Sequence, residues 1–353
     1  MGNPTISAGY PKALLDFAVS RGADRLTLLA RSHLHPDELL NQDNRIPLAN
    51  YLAMLKAGIE LCNEPALSLL FGEAVRLPDI SIVGLMGQMA ENSEDGRRQL
   101  NRYAPLALDE DDGNATEPME IVREGRDVWV RSTSRIYAQN PLLTESAFAR
   151  TVCSVRALLA SMPDFAHRPF PKAIRFTNKE PSYRAEYNRI FGVPLFFESA
   201  MNAIQIDEAF MQMKPPRPNP YLSELLRAHA EGLLQNLERS KSIRGRVESL
   251  LIPVLHTGEA NMDTIAAKLA LSRQTLFRRL KAEGVTFEKV LDELRHKLAL
   301  QYLKREKISV RETAYLVGFS EPGAFSRAFR RWTGSSPTTM RNSKVDDDQT
   351  GVS

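Results

Sequence analysis

Cysteine is nearly absent from this chain of 353 residues, which contains only Cys62 and Cys153. Two cysteines cannot form a disulfide framework or a four-cysteine zinc site, and so few cysteines are typical of a reducing compartment. We interpret both thiols as small buried apolar groups, with a redox-sensing pair as the less favoured alternative.

Long apolar runs are also absent. One of the longest, Ile80 to Met89, is interrupted by glycines and polar residues, whereas a membrane-spanning helix needs about 20 continuous apolar residues. The first thirty residues carry charges such as Asp16 and Arg21 where a secretory signal has an unbroken apolar core. The sequence therefore predicts a cytoplasmic protein with no membrane partner.

Common catalytic motifs are missing as well. The sequence contains no glycine-rich phosphate loop, no Gly-x-Ser-x-Gly elbow and no His-Glu-x-x-His pair. His33 and His35 lie two residues apart, but exposed loop histidines explain them better than a metal site does. We therefore expect no catalytic residue, no metal and no cofactor.

The net charge of +3 conceals an uneven distribution along the chain. Residues 241–341 hold 19 Lys and Arg against 10 Asp and Glu, whereas the rest of the chain holds 27 against 33. A basic region beside a larger acidic one is typical of a nucleic-acid-binding domain joined to a sensing or interaction domain. A basic solvated surface is the alternative interpretation.

Four prolines between Pro215 and Pro220 indicate a domain boundary, because neither a helix interior nor a central strand accommodates them. We predict a first domain at 1–215, a linker at 216–241, a second domain at 242–342 and a disordered tail at 343–353. Leucines spaced three and four residues apart between Tyr221 and Glu238 predict an amphipathic helix in the linker. Its apolar stripe either packs on its own domain or joins two chains, so a homodimer is left open.

The first domain combines helical periodicity with short apolar strands. Its helical patterns are Leu48–Leu61, Ile80–Ala90, Gly96–Leu108 and Ser146–Met162. A hairpin is predicted for Met119–Val122 and Val128–Arg131, with further strands at Ile174–Phe176 and Leu195–Phe197. The sequence predicts an α+β domain followed by an all-α domain with two helix-turn-helix motifs and a spacer helix.

The second domain contains an internal repeat. Residues 262–283 predict two short helices with a tight connection at Ala270, and Ser272 is suited to cap the second helix. A similar pattern recurs 48 residues later, at 310–333, with Gly318 at its turn and Pro322 at the start of its second helix. Both copies fit the helix-turn-helix, whose second helix enters the major groove of DNA.

A continuous helical pattern, Thr286 to Lys304, separates the two copies. Its 19 residues would extend about 28 Å, close to the roughly 34 Å between successive major-groove faces on one side of B-DNA. One chain could therefore place two recognition helices in adjacent grooves.

These residues resemble the AraC family of bacterial transcription regulators. The resemblance rests on Ile265-Ala-Ala-Lys-Leu-Ala-Leu-Ser, on Leu276-Phe-Arg-Arg-Leu-Lys and on Val317-Gly-Phe-Ser followed by Phe325-Ser-Arg-Ala-Phe-Arg-Arg-Trp-Thr-Gly. It implies a DNA-binding regulator, more typically an activator than a repressor, that contacts RNA polymerase. Some DNA-repair alkyltransferases carry the same tandem motif, but their methyl-accepting site needs more cysteines than this chain has.

Duplex DNA is accordingly the expected partner, and both second helices carry the expected contacts. On the first helix, Leu276 and Leu280 are predicted to pack inward, leaving the opposite face free. Pro322 and Gly323 stand where the family often has polar side chains that contact bases. The predicted contact residues are Arg273, Gln274, Phe277, Arg278, Lys281, Pro322, Gly323, Ser326, Arg327 and Arg330.

The first domain resembles, less strongly, the effector domain of one branch of the same family. The resemblance rests on Arg45-Ile-Pro, on Glu73 to Gly87 and on Tyr187 through Phe197. It implies a domain that senses a small molecule or mediates only protein interaction, and both alternatives stay open. Apolar effector contacts are assigned to Tyr187, Phe196, Phe197 and Met201, although ordinary core packing explains the same residues.

Overall fold

The chain divides into two compact units, Met1–Gln235 and Asn236–Ser353. The computed structural model describes residues 3–110, 117–214, 219–303 and 308–341. Within these ranges, no helix is both long and apolar enough to cross a membrane. The predicted tail at 343–353 lies outside the described residues, as do residues 215–218 of the proline cluster.

Helices form most of the first unit. They are α1 (Gly9–Ser20), α2 (Arg25–Arg31), α3 (Leu48–Leu61), α4 (Leu67–Ala74), α5 (Leu77–Ile80), α6 (Ile82–Gln88), α7 (Ser93–Ala107), α8 (Arg135–Gln139), α9 (Pro141–Ala160) and α10 (Arg184–Phe191). Short 3-10 helices cover Pro36–Leu39 and Glu208–Gln212. The strands are β1 (Thr5–Ser7), β2 (Arg45–Pro47), β3 (Leu108–Asp109), β4 (Met119–Glu124), β5 (Asp127–Ser132), β6 (Ala173–Arg175), β7 (Leu195–Phe196) and β8 (Ala203–Ile206).

Two sheets organise this unit. The smaller sheet has the order β2-β1-β3 and is antiparallel, and the larger has the order β4-β5-β8-β6-β7 with only β6 and β7 parallel. Glu124 pairs with Asp127 at the end of the predicted hairpin, where Gly125 adopts a φ of 62°. Mixed strands among many helices confirm the predicted α+β class.

The larger sheet has apolar contacts on both faces, because successive strand residues point to opposite sides. Val128 packs in a core with residues of α4, α9 and α10, whereas the neighbouring Trp129 packs with Ala173 and Ala203. The Arg175 guanidinium lies 3.9 Å from the centre of the Trp129 ring and extends that second cluster.

Helix α11 (Pro220–Lys241) crosses the boundary between the two units. Its amino-terminal part contacts the first unit: Ser223 Oγ lies 3.4 Å from Met89 Sδ, and Arg102 Nη2 lies 2.8 Å from Glu231 Oε2. These contacts explain why the first unit extends to Gln235, beyond the proline cluster.

The second unit is helical. It contains α12 (Ile243–Leu251), a 3-10 helix at Ile252–Thr257, α13 (Met262–Lys268), α14 (Arg273–Ala282), α15 (Phe287–Leu303), α16 (Val310–Leu316) and α17 (Pro322–Thr333). One core is formed by residues of α12, α13, α14 and the first half of α15. A second core is formed by the end of α15 together with α16 and α17. The predicted all-α domain with two helix-turn-helix motifs is confirmed.

Candidate nucleic-acid interface

The first helix-turn-helix consists of α13 and α14. Asn261 caps α13 by accepting a 3.0 Å hydrogen bond from the Thr264 N–H, and Ser272 caps α14 through a 3.1 Å bond from the Thr275 N–H. Ala270 lies between the helices with a φ of 53°, a left-handed conformation that a non-glycine residue rarely adopts. The caps and the turn together orient α14.

The second motif repeats this design in α16 and α17. Ser309 and Glu312 form a reciprocal capping box at the start of α16. Gly318 occupies the turn with a φ of 82°, in the position that corresponds to Ala270. Pro322 is the first residue of α17, where the missing N–H has no helical partner to lose.

Helix α14 separates a buried face from an exposed one. Leu276 and Leu280 are buried in the core of the second unit. Phe277, although apolar, keeps 51% of its surface exposed, so packing within the unit does not explain it. The five predicted contact residues of this helix are all exposed: Arg273, Gln274, Phe277, Arg278 and Lys281.

Helix α17 has the same division, with Phe325 and Phe329 buried. Of its predicted contact residues, Gly323, Arg327 and Arg330 are exposed, while Pro322 and Ser326 are half-buried. The Ser326 hydroxyl donates a 3.0 Å hydrogen bond to the Pro322 carbonyl, which engages it within its own helix.

The Arg327 side chain lies close to Gly323. A Cβ at Gly323 would lie 3.8 Å from Arg327 Nη1, so the arginine extends back toward the start of α17. This direction is the one that side chains on a helix normally take. Because glycine has no side chain, the Arg327 guanidinium has room at the amino-terminal end of α17. This is the end that the helix-turn-helix interpretation places in the major groove.

Ion pairs divide the basic residues of both recognition helices into two groups. Arg273 is held by Asp263 at 2.5 Å, and Arg331 is held by Asp292 at the same distance. Among the described residues, no acidic side chain pairs with the other exposed cations of the predicted set, Arg278, Lys281, Arg327 and Arg330. These four remain available to phosphates or bases.

The spacer helix α15 contains 17 residues, which corresponds to a length of about 25 Å. Arg295, near its middle, donates a 3.2 Å hydrogen bond to the Gly318 carbonyl and lies 4.9 Å from the centre of the Phe319 ring. Burial lowers the pKa of this arginine. Arg295 thereby fixes the second turn to the spacer.

Gly318 also approaches the 3-10 helix at Ile252–Thr257. A Cβ at this position would lie only 2.3 Å from the Leu255 carbonyl oxygen, so only glycine fits. No sequence pattern marked Arg295 or Asp292, because their partners lie 23 and 39 residues away. In the sequence they are two charged residues of a helical segment, and their half-buried positions are visible only in the structure.

The structure does not bring the four predicted effector residues together. Tyr187 is buried, and its ring centre lies 5.5 Å from that of the half-buried Phe197. Phe196 is 50% exposed, and Met201 packs with the Trp129 cluster. Only Tyr187 and Phe197 share one environment.

A buried carboxyl group that no sequence pattern marked accompanies Tyr187. Glu145, on α9, accepts a 2.6 Å hydrogen bond from the Tyr187 hydroxyl and a 3.0 Å bond from that of Tyr183. Burial raises the pKa of Glu145 to about 7, and the two tyrosine hydrogen bonds oppose this rise. The cluster is a polar group inside the core of the first unit.

Two family models match the chain. The model described as the arabinose-binding domain of AraC transcription regulators, amino-terminal, matches residues 22–215, more than half of the chain. A model described as a helix-turn-helix domain matches residues 265–343.

Similar proteins include regulators matched over most of their length. The chain is 27% identical over 346 residues to the ornithine utilization regulator of Pseudomonas aeruginosa, covering 95% of this chain and 96% of that protein. It is 24% identical over 328 residues to the transcriptional regulator VirS of Mycobacterium tuberculosis, with 91% of each chain covered. The crystal structure of the regulator CdpR from Pseudomonas aeruginosa is 23% identical, with 89% of this chain and 95% of that chain covered and a TM-score of 0.41.

Proposed function

Because the chain belongs to the AraC family of transcription regulators and is therefore a DNA-binding regulator rather than an enzyme, we propose how it binds its operator. Helices α14 and α17 enter successive major grooves on one side of the duplex. Arg278 and Arg327 contact base edges, and Lys281 and Arg330 contact phosphates.

The observation that carries this proposal is the equivalence of the two recognition helices. Both bury an apolar pair at matching positions, and both expose a basic pair on the opposite face with which no described acidic residue forms an ion pair. An αα-hairpin that served only to pack would not need the same exposed cations twice. An arginine at this position can donate two hydrogen bonds to guanine O6 and N7.

Gln274, Phe277 and Gly323 complete the proposed surface. Gln274 is suited to contact adenine, and the exposed Phe277 ring is suited to contact a thymine methyl group. Gly323 offers no side chain, but Arg327 Nη1 lies within 3.8 Å of the position that a Cβ there would take. The second helix thus depends more heavily on one arginine than the first does.

Fluorescence anisotropy with the full chain tests the proposal. Sites are first selected from a random duplex pool, and affinity for the selected site is then measured at increasing salt. Affinity should fall steeply, because each neutralised phosphate contributes about −0.9 to the slope of log K against log salt. The double variant Lys281→Ala and Arg330→Ala should reduce that slope by roughly 2. A slope unchanged by the double variant would contradict the phosphate assignments.

We further propose that a small-molecule effector in the first unit controls DNA binding and that the chain activates transcription in the cytoplasm through contact with RNA polymerase. The effector proposal is supported by the arabinose-binding-type model over residues 22–215 and by buried polar groups such as Glu145. Activation is supported only by the family resemblance. A promoter fused to a reporter gene, compared with and without the chain, distinguishes activation from repression.

The proposed regulator also self-associates through α11. Tyr221, Leu222 and Leu225 are 71%, 45% and 50% exposed, an apolar group that its own unit leaves uncovered. Sedimentation velocity of the full chain should show a dimer that Leu225→Glu dissociates. A monomeric wild type would contradict this part of the proposal.

A further inference from the structure

An arginine lies buried inside the first unit, and no described residue provides its counter-ion. Arg150, on α9, keeps only 5% of its surface exposed. Its Nη2 donates a 2.9 Å hydrogen bond to Ser146 Oγ, and its buried Nε has no hydrogen-bond partner among the residues that the structure describes. No acidic side chain in the described ranges forms an ion pair with it. A buried and unpaired charge is costly, and a protein normally avoids it.

Aromatic rings surround the guanidinium. Its Cζ lies 5.3 Å from the centre of the Tyr10 ring, on α1, and 5.5 Å from that of Phe71, on α4. The Tyr10 and Tyr51 rings, the latter on α3, meet edge to face with centres 6.3 Å apart. Interactions with ring faces stabilise a cation only partly and leave its hydrogen-bond donors unused.

Three phenols share the electrostatic field of this arginine. Burial raises the pKa of Tyr10, Tyr51 and Tyr137, and the Arg150 charge opposes the rise in each case. Within the part of the chain that the structure describes, none of their hydroxyl groups forms a hydrogen bond. The cluster of Arg150, Tyr10, Tyr51 and Tyr137, hereafter the Arg150 cluster, therefore combines one buried positive charge with three unused hydroxyl donors.

Another arginine of the same helix is hydrogen-bonded in a different way. Arg156, six residues further along α9, donates hydrogen bonds to the main-chain carbonyls of Phe170, Ile190 and Phe191. Its guanidinium holds the surrounding chain in place. Among the described residues, Arg150 donates a hydrogen bond only to one neighbouring hydroxyl on its own helix and joins no separate segments.

We propose that the Arg150 cluster binds the carboxylate of a small organic acid, which is the effector of the regulator. This inference rests on the proposed effector control and specifies its chemistry. A carboxylate accepts two parallel hydrogen bonds from a guanidinium, and its remaining lone pairs can accept from phenol hydroxyl groups. One guanidinium balances one negative charge, which favours a monocarboxylate over the more highly charged phosphate. The Tyr10 and Phe71 rings beside the guanidinium provide apolar surface for the rest of an organic molecule.

Thermal unfolding of the full chain with matched probes tests the proposal. The probes are acetate, butyrate and benzoate, each compared with its neutral primary amide, and inorganic phosphate, all at constant ionic strength. At least one carboxylate should raise the unfolding midpoint in a concentration-dependent way, because a ligand that binds only the folded state stabilises it. The amides and phosphate should not. Stabilisation by phosphate and not by carboxylates, or by none of the probes, would overturn the proposal.

Variants separate binding from a structural role. Arg150→Met keeps the side-chain length and should abolish the carboxylate response without lowering the midpoint of the ligand-free chain, since it removes an unpaired buried charge. Arg156→Met should lower the midpoint. Tyr51→Phe removes one hydroxyl and should weaken carboxylate binding several-fold by calorimetry, which keeps the test decisive if Arg150→Met fails to fold. A carboxylate response unchanged by both Arg150→Met and Tyr51→Phe would overturn the proposed site.

DNA anisotropy on the same samples distinguishes this inference from the proposed function. Carboxylate binding that leaves DNA affinity unchanged would support the site and contradict effector control. If another molecule controls DNA binding and Arg150→Met responds to it as wild type does, effector control is supported and the carboxylate site is contradicted.

Discussion

Arg278 and Arg327 are each the sixth residue of a recognition helix, counted from Arg273 in α14 and from Pro322 in α17. Both side chains are exposed, and neither forms an ion pair with any described residue. The buried residues on either side of them also correspond, Leu276 with Phe325 and Leu280 with Phe329. The two helices therefore present one arginine in the same way.

Alanine at either arginine should change sequence preference, not only affinity. Loss of a bidentate contact to guanine should cost about 1–3 kcal/mol of discrimination at one base pair in the half-site of the altered helix. Site selection from a random duplex pool, performed for wild type, Arg278→Ala and Arg327→Ala, measures the change.

Neighbouring arginines provide matched controls for this experiment. Arg279 is exposed but lies one residue further round α14, and Arg331 is already paired with Asp292. Arg279→Ala and Arg331→Ala should keep the wild-type preferences. If Arg278→Ala and Arg327→Ala also keep them, neither arginine contacts a base.

The tandem motifs were predictable because their determinants are local. Ser272, Ala270 and the leucines of α14 act within a few residues of one another, and the 48-residue offset that relates Ala270 to Gly318 is visible in the sequence itself. The repeat also predicts which face of each helix is buried. Local spacing therefore carries most of the information about this part of the fold.

Long-range partners were not predictable in the same way. Tyr187 is a conspicuous aromatic residue, but its partner Glu145 lies 42 residues away on a helix whose periodicity does not mark the carboxyl as special. Arg150 has aromatic neighbours from four different helices. The length of the first unit similarly depends on contacts between α11 and residues more than a hundred positions earlier. Such pairings arise from tertiary packing and leave no periodic signal.

A proline in the spacer should uncouple the two motifs. Leu294, an obvious position for it, is buried in the first core, so a proline there would also damage packing. Lys297 is exposed near the middle of α15, and Lys297→Pro should break the helix at a cost of about 3 kcal/mol or more. Anisotropy should show that the variant binds duplexes with one or two half-sites with equal affinity, whereas wild type prefers two.

Lys297→Ala is the control, because it removes the same charge and keeps the helix. It should retain the preference for two half-sites. Circular dichroism confirms that the proline variant is folded. A folded proline variant with the wild-type preference would show that α15 does not set the spacing.

The two turns should respond oppositely to exchange of alanine and glycine. Ala270→Gly relieves a left-handed alanine, a gain of roughly 1–2 kcal/mol that the flexibility of glycine in the unfolded chain partly offsets. Gly318→Ala adds the same strain and places a Cβ 2.3 Å from the Leu255 carbonyl, which should destabilise the unit by roughly 2 kcal/mol or more. Urea unfolding in a Trp129→Phe background, followed through Trp332, measures both changes. Changes of equal size in the free energy of unfolding, whatever their sign, would contradict the close packing at Gly318.

The stability of the first unit should depend on pH through Glu145. Burial raises its pKa from the ordinary 4.5 to about 7, so the folded unit binds a proton that the unfolded chain has already released. The stabilising contribution of this proton is complete below about pH 4.5 and is lost as the pH rises to about 7. The shift corresponds to about 3 kcal/mol at most.

Glu145→Gln cannot ionise and keeps an oxygen that accepts from Tyr187, so it should gain stability relative to wild type between pH 5 and pH 8. Trp129 lies buried in this unit, and urea unfolding in a Trp332→Phe background isolates its signal. If the free energies of unfolding of wild type and Glu145→Gln differ by the same amount at pH 5 and at pH 8, Glu145 is ionised in the folded unit at both pH values.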